Sequence, residues 1–152
     1  MTGFFGRHNQ RLDEKGRMIV PASFRDVLKS NYGNNLYITA TLNDECLQIF
    51  PEEEWKALME KVKTLPKTNE AVKFFKRKVI GSAVECEVDK QGRVLIPPAL
   101  REDVKIELNA EIVVVGQEDI IEVWDKERLS KVIKRSSDEI KQIEGELSAL
   151  GV

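Results

Sequence analysis

The sequence predicts an α+β, β-rich chain: two copies of one β–turn–β–α–β–β unit, packed together about a pseudo-twofold axis and flanked by helices. Three observations lead there. The stretch "LDEKGRMIVPASFRD" (Leu12–Asp26) returns 76 positions later as "VDKQGRVLIPPALRE" (Val88–Glu102). Each copy alternates short β-rich runs with Gly and Pro punctuation. Each copy is also followed by a segment whose apolar residues recur at helical spacing.

The duplication carries the most weight, because a missed repeat would misread the whole fold. At an offset of 76, Asp13 matches Asp89, Gly16 matches Gly92, Arg17 matches Arg93, Pro21 matches Pro97 and Arg25 matches Arg101. Ordinary composition would give roughly one identity in fifteen positions, so five are not chance. Six further positions exchange like for like, among them Met18/Val94, Phe24/Leu100 and Asp26/Glu102. The likeness runs on into "LYIT" against "IVVV" and, after a two-residue difference in loop length, "LQIF" against "IEVW".

Within a copy, a short strand enters the Gly turn and "RMIV" or "RVLI" leaves it. Pro21 or Pro97 then stops that strand and suits the first turn of a helix, where its missing N–H has no role. Short helices are expected over Ala22–Lys29 and Ala99–Lys105, followed by two strands around the acidic turns "NDE" and "QED". A unit of roughly 45 residues cannot bury both faces of its sheet, which argues that the copies share one core.

The first helical segment opens at "PEEEW", with three Glu in the turn where the helix dipole favours negative charge. Trp55, Leu58, Met59, Val62 and Leu65 follow at helical spacing, Pro66 interrupts, and "TNEAVKFFKRK" starts a second helix. After the second copy, Leu129, Ile133, Ile140, Ile143, Leu147 and Leu150 form one stripe with Ser136 as its gap. That stripe fits equally a helix covering its own domain and a seam against a neighbouring subunit.

Composition narrows the function. The 152 residues are 41% hydrophobic and 33% charged, as in a globular protein. No apolar run approaches the length of a membrane span, and no apolar h-region marks a signal peptide near the start. Cys46 and Cys86 lie 40 residues apart without C-x-x-C spacing, so free thiols in a reducing cytosol are expected. The single histidine, His8, cannot by itself make a zinc site or supply a triad, and no P-loop, H-E-x-x-H or Gly-x-Ser-x-Gly motif is present. Paired acids such as Glu85 and Glu87 alternate along a strand and read as its solvated face. No cofactor, metal site or catalytic residue is therefore expected.

The net charge of −2 hides a strong segregation. Met1–Gly33 carries six Lys/Arg against three Asp/Glu, and Lys61–Arg93 carries nine against four. Each basic block holds one copy of the turn motif. In that motif Gly16 or Gly92 supplies the positive φ of a tight turn, and Asp13 or Asp89 can accept bonds from turn N–H groups and from the following Arg. An Arg oriented in this way loses less entropy on meeting a phosphate or the O6/N7 edge of guanine. Lys15 and Lys90 add positive potential, although Gln91 stands where Lys15 does, which predicts a weaker second tip. A register-fixing hairpin turn would explain one copy equally well. Two copies in two basic blocks, related by a pseudo-twofold axis, match the approximate twofold symmetry of duplex DNA. Arg25 and Arg101, on the short helices, are expected to bond within the fold.

The doubled pattern L-D-x-K-G-R-(apolar)₃-P-A-x-[FL]-R resembles the MraZ family of bacterial transcriptional regulators, whose two tandem SpoVT/AbrB-type domains each carry an Asp-x-x-x-Arg motif. Here Asp13–Arg17 and Asp89–Arg93 match it. The resemblance implies repeats at residues 5–51 and 81–125, linking helices over 52–80 and a C-terminal helix over 126–152. It also implies AbrB-like swapped-hairpin units forming one barrel, and a ring-shaped homo-oligomer that is cytoplasmic and nucleoid-associated. The implied partner is double-stranded promoter DNA, read at direct repeats ahead of the division and cell-wall gene cluster. Carried over, Arg17 and Arg93 meet DNA, aided by Lys15 and Lys90, with Asp13, Gly16, Asp89 and Gly92 orienting the loops. Two other classes remain as alternatives: a module whose repeats serve assembly alone, and an enzyme on a related β-rich scaffold.

Overall fold

The computed structural model describes residues 3–152. The first copy folds as β1 (Arg7–Arg11), β2 (Arg17–Ile19), α1 (Ala22–Asn31), β3 (Asn35–Ala40) and β4 (Leu47–Pro51). Helices α2 (Glu52–Lys63) and α3 (Glu70–Phe75) follow, the latter widening into a π-helical segment, Lys76–Ile80. The second copy gives β5 (Val84–Glu87), β6 (Arg93–Leu95), α4 (Pro98–Asp103), β7 (Glu111–Gly116) and β8 (Ile121–Asp125). The chain ends in α5 (Lys126–Ile133) and α6 (Ser137–Ala149).

One six-stranded antiparallel sheet runs β1-β7-β8-β4-β3-β5, and β2 pairs with β6 as a separate ribbon. Strands are exchanged between the copies. β1 of the first copy lies on β7 of the second with Arg11 opposite Glu111, and β5 lies on β3 with Glu87 opposite Asn35. These registers are the same pairing shifted by 76 positions. The copies meet their own counterparts in two places, at Met18 opposite Val94 and at Gln48 opposite Glu122. The pseudo-twofold axis passes through both.

The α+β class and the strand exchange match expectation, but the sheet stays open. Its edge strands β1 and β5 pair with no further strand among the described residues. Between β1 and β2 the gap is bridged by a side chain: the Gln10 amide donates to the Ile19 carbonyl at 2.6 Å and accepts the Ile19 N–H at 2.7 Å. That side chain takes the place of a backbone ladder.

The main core draws on both copies in matched pairs, Met18 with Val94, Val20 with Ile96, Phe24 with Leu100, Leu36 with Ile112 and Ile38 with Val114, all buried. Neither copy could exclude water from these side chains alone, as the size of the unit predicts. Outside this core, α2 stacks Trp55 on Tyr37 at 5.1 Å and sets it edge-on to Phe50. Val79 of the π-helical segment closes that cluster. On the second copy α5 presses Leu129 against Val113, Val115 and Trp124.

The expected single C-terminal helix is two helices. Ser136, which looked like a gap in one stripe, caps α6: its hydroxyl accepts the Glu139 N–H while the Glu139 carboxylate accepts the Ser136 N–H. Such a reciprocal box starts a new helix rather than continuing an old one. The stripe divides accordingly. Leu129 on α5 is buried against its own sheet, whereas Ile133 at the end of α5, Ile140, Ile143 and Leu147 on α6, and Leu150 at its C-cap are exposed.

Candidate nucleic-acid interface

Both Asp-to-Arg loops have the same internal bonding. In the first, one oxygen of Asp13 accepts the N–H groups of Lys15 at 2.9 Å and Arg17 at 2.8 Å, and the other accepts Arg17 Nε at 2.8 Å. In the second, Asp89 accepts the Gln91 and Arg93 N–H groups at 2.9 and 2.8 Å, and Arg93 Nε at 3.0 Å. Gly16 and Gly92 turn the chain at φ +83° and +78°, a region costly for any residue with a Cβ. The Arg17 N–H, then the Arg17 side chain and the Lys15 N–H, draw the Asp13 pKa down from 3.8 to about 2 despite some desolvation. The equivalent bonds from Arg93 and Gln91 lower that of Asp89.

Each carboxylate engages only the Nε edge of its Arg, which leaves the terminal Nη1 and Nη2 donors without a hydrogen-bond partner among the described residues, on side chains that are 27% exposed in both copies. That is the geometry suited to bidentate recognition of phosphate or guanine. Lys15 and Lys90 are exposed beside them. Counting charge over each five-residue loop reverses the expected ranking of the tips. Residues 13–17 hold two acids and two bases, while residues 89–93 hold one acid and two bases, because Lys90 replaces Glu14 as Gln91 replaces Lys15.

The loops are braced across the pseudo-twofold axis. Val20 donates to the Gly92 carbonyl at 2.8 Å and Ile96 to the Gly16 carbonyl at 2.9 Å, so each turn is tied to the other copy's ribbon strand. Beneath Gly92 lies Arg25 of the first copy, and beneath Gly16 lies Arg101 of the second. Arg25 Nη1 also donates to the Val20 carbonyl at 2.6 Å. Arg25 thus bonds within the fold as expected, whereas Arg101 packs there with its buried Nε unpartnered, and each lies beneath the opposite copy's loop. The sequence gives no signal for that crossing.

The remaining candidate groups lie elsewhere. The His8 ring packs edge-on to Phe24 at 4.9 Å. Cys46 and Cys86 are free thiols, and burial raises both pKa values, that of Cys86 to about 11. Among the described residues, no cluster of three or more His, Cys, Asp or Glu side chains could hold a metal ion, and no helix is long and apolar enough to cross a membrane. Sequence reasoning passed over Ile19 and Leu95, which share the solvent face of the ribbon with Arg17 and Arg93. The alternation within "RMI" and "RVL" was the available signal.

A doubled Asp-x-x-x-Arg loop on exchanged strands agrees with what family comparison finds. The family model described as MraZ protein, antitoxin-like, matches residues 4–78 and again 79–147. The chain belongs to the MraZ family. A protein of Carboxydothermus hydrogenoformans named transcriptional regulator MraZ is 44% identical over 124 residues, covering 82% of each chain. Proteins of the same name from Thermoanaerobacter pseudethanolicus and Heliobacterium modesticaldum are 38% and 39% identical. The first covers 97% of this chain and 98% of its own, the second 92% and 93%. The two MraZ matches meet between residues 78 and 79, inside the π-helical segment that separates the two structural copies.

Proposed function

We propose that this MraZ-family chain is a transcription regulator that binds double-stranded promoter DNA through its two Asp-x-x-x-Arg loops. The observation that carries the proposal is the pair of guanidinium groups, each fixed at Nε by a carboxylate on an internally bonded turn, whose Nη donors have no partner among the described residues. The family resemblance adds the target: direct repeats ahead of the division and cell-wall gene cluster, read in the cytoplasm at the nucleoid. The names of the relatives support regulation of transcription rather than an enzyme reaction.

One subunit offers two Arg and two Lys, enough to displace about four counterions and to bind weakly. A homo-oligomer placing several such pairs along one duplex gains by effective concentration, and regularly spaced repeats are then its natural target. The exposed apolar stripe of α6 supports assembly, since nothing among the described residues buries it. Trp124, Leu129, Val132 and Ile133 line the apolar part of an open groove whose other walls include Arg7, Gln117 and Glu122. Titration of the protein's own upstream promoter DNA against scrambled duplex, at two salt concentrations, tests the proposal. Preference for the promoter with steep salt dependence is expected. Equal binding to both duplexes would leave assembly alone as the role of the repeats. A mass measurement on the same sample reads the oligomer.

A further inference from the structure

The β2–β6 ribbon presents more than charge. Its buried side carries Met18 and Val94, and its outer side carries Arg17, Ile19, Arg93 and Leu95. Register places Leu95 directly opposite Arg17 and Ile19 directly opposite Arg93. The bonds from Val20 to Gly92 and from Ile96 to Gly16 bracket the ribbon. They make these two pairs the non-hydrogen-bonded kind, with Cα atoms about 4.5 Å apart and side chains at their closest. Two apolar side chains, 54% and 53% exposed, therefore sit in a checkerboard with the two loop arginines.

Exposed Ile and Leu are commonplace singly, but a symmetric pair fixed between cationic donors needs a partner that is both anionic and locally apolar. Duplex DNA offers that combination in its major groove, which admits a two-stranded ribbon and where the thymine C5-methyl projects beside guanine N7 and O6. We infer that Ile19 and Leu95 are specificity-determining residues that contact thymine methyl groups flanking the bases or phosphates held by Arg17 and Arg93. This rests on the loops being the DNA-binding element. The ribbon is rigid enough for the task at Ile19, whose outer edge is locked by the Gln10 amide.

The test uses the protein's own upstream promoter duplex in two forms, with thymine and with every thymine replaced by deoxyuridine, which lacks only the methyl. Burying one methyl is worth about fourfold in affinity, and two about fifteenfold. The parent protein is expected to prefer the thymine duplex by a ratio in that range. The variant Ile19→Ala with Leu95→Ala should bind the uracil duplex much as the parent does and show a thymine-to-uracil ratio near one. Equal binding of both duplexes by the parent overturns the inference without any variant. A double variant that keeps the parent's ratio overturns it too. So does one losing affinity equally on both duplexes, which would mark the pair as a wedge in the minor groove, where no methyl lies. A double variant of reduced oligomeric mass would assign the pair to contacts between copies and likewise overturn it. Failure of the underlying loop proposal is distinguishable: Arg17→Ala with Arg93→Ala would then bind the thymine duplex as tightly as the parent.

Discussion

Replacing Gly92 by Ala tests the crossed bracing of the loops, and the cost can be worked from the structure. The backbone there is at φ +78°, where a residue with a Cβ loses about 1–2 kcal/mol. The new Cβ would also lie 2.6 Å from Arg25 Nη1 and 3.0 Å from Arg25 Cζ, so the guanidinium must move. Moving it gives up the 2.6 Å bond from Nη1 to the Val20 carbonyl, a charged hydrogen bond worth about 1.5–3 kcal/mol. The sum is roughly 3–5 kcal/mol. Gly16→Ala is the control. Its φ of +83° brings the same backbone cost, but the Cβ would sit 3.1 Å from Arg101 Nε, a buried atom with no hydrogen-bond partner to lose. Its expected cost is about 1–2 kcal/mol. Urea denaturation followed by circular dichroism reads both, with an unchanged m-value confirming that the midpoint shift is stability. Adding Arg25→Ala should reduce the further cost of Gly92→Ala to that of Gly16→Ala. Equal destabilisation by the two glycine variants in the parent background would refute the bracing of the second loop by Arg25 of the first copy.

Three further outcomes follow from the same geometry. Asp13 titrates near pH 2 when folded against 3.8 for the free group, so its folded-state pKa is depressed. Its contribution is complete above about pH 4 and lost as pH falls through about 2; a carboxyl NMR titration with its midpoint at or above 3.8 would contradict the loop geometry. At the ribbon edge, Gln10 protects the Ile19 amide, whereas the matching position in the second copy is Cys86 and Leu95 has no such partner among the described residues. Hydrogen exchange should be slower at Ile19 than at Leu95, and Gln10→Ala should remove the difference. Helix α6 has no buried residue, and an isolated helix of 13 residues is marginal in water. Protection of its amides should rise with protein concentration, and protection that persists in the dilute monomer would show that α6 needs no neighbouring copy.

The duplication made much of this legible. Five identities at one offset predicted both units, the positive-φ turns at Gly16 and Gly92 and the carboxylate–Arg pairs, because those features depend on residues four apart. What depends on residues far apart was less accessible. Periodicity says that β1 is a strand but not that it lies on β7 rather than β3, since the apolar faces of the two are interchangeable. The exchange of strands followed only from the family resemblance. The helical position of Arg25 points to a fold-internal role, yet nothing local tells that its guanidinium lies beneath Gly92. At Ser136 an apolar stripe with one gap resembles a continuous helix, and only the Ser-x-x-Glu spacing marks the start of α6. The two tips differ at two positions rather than one, since Lys90 stands where Glu14 does as well as Gln91 where Lys15 does.

The central claim is that the two guanidinium edges meet DNA. It is tested most directly by the salt dependence of binding to the protein's own promoter duplex, for the parent and for Arg17→Ala with Arg93→Ala. Each lost phosphate contact lowers the slope of log K against log salt by about 0.9. The account predicts a slope shallower by roughly 2 per engaged subunit, together with a large loss of affinity at low salt and unchanged oligomeric mass. A variant with the parent's slope and affinity would place the DNA somewhere other than these loops.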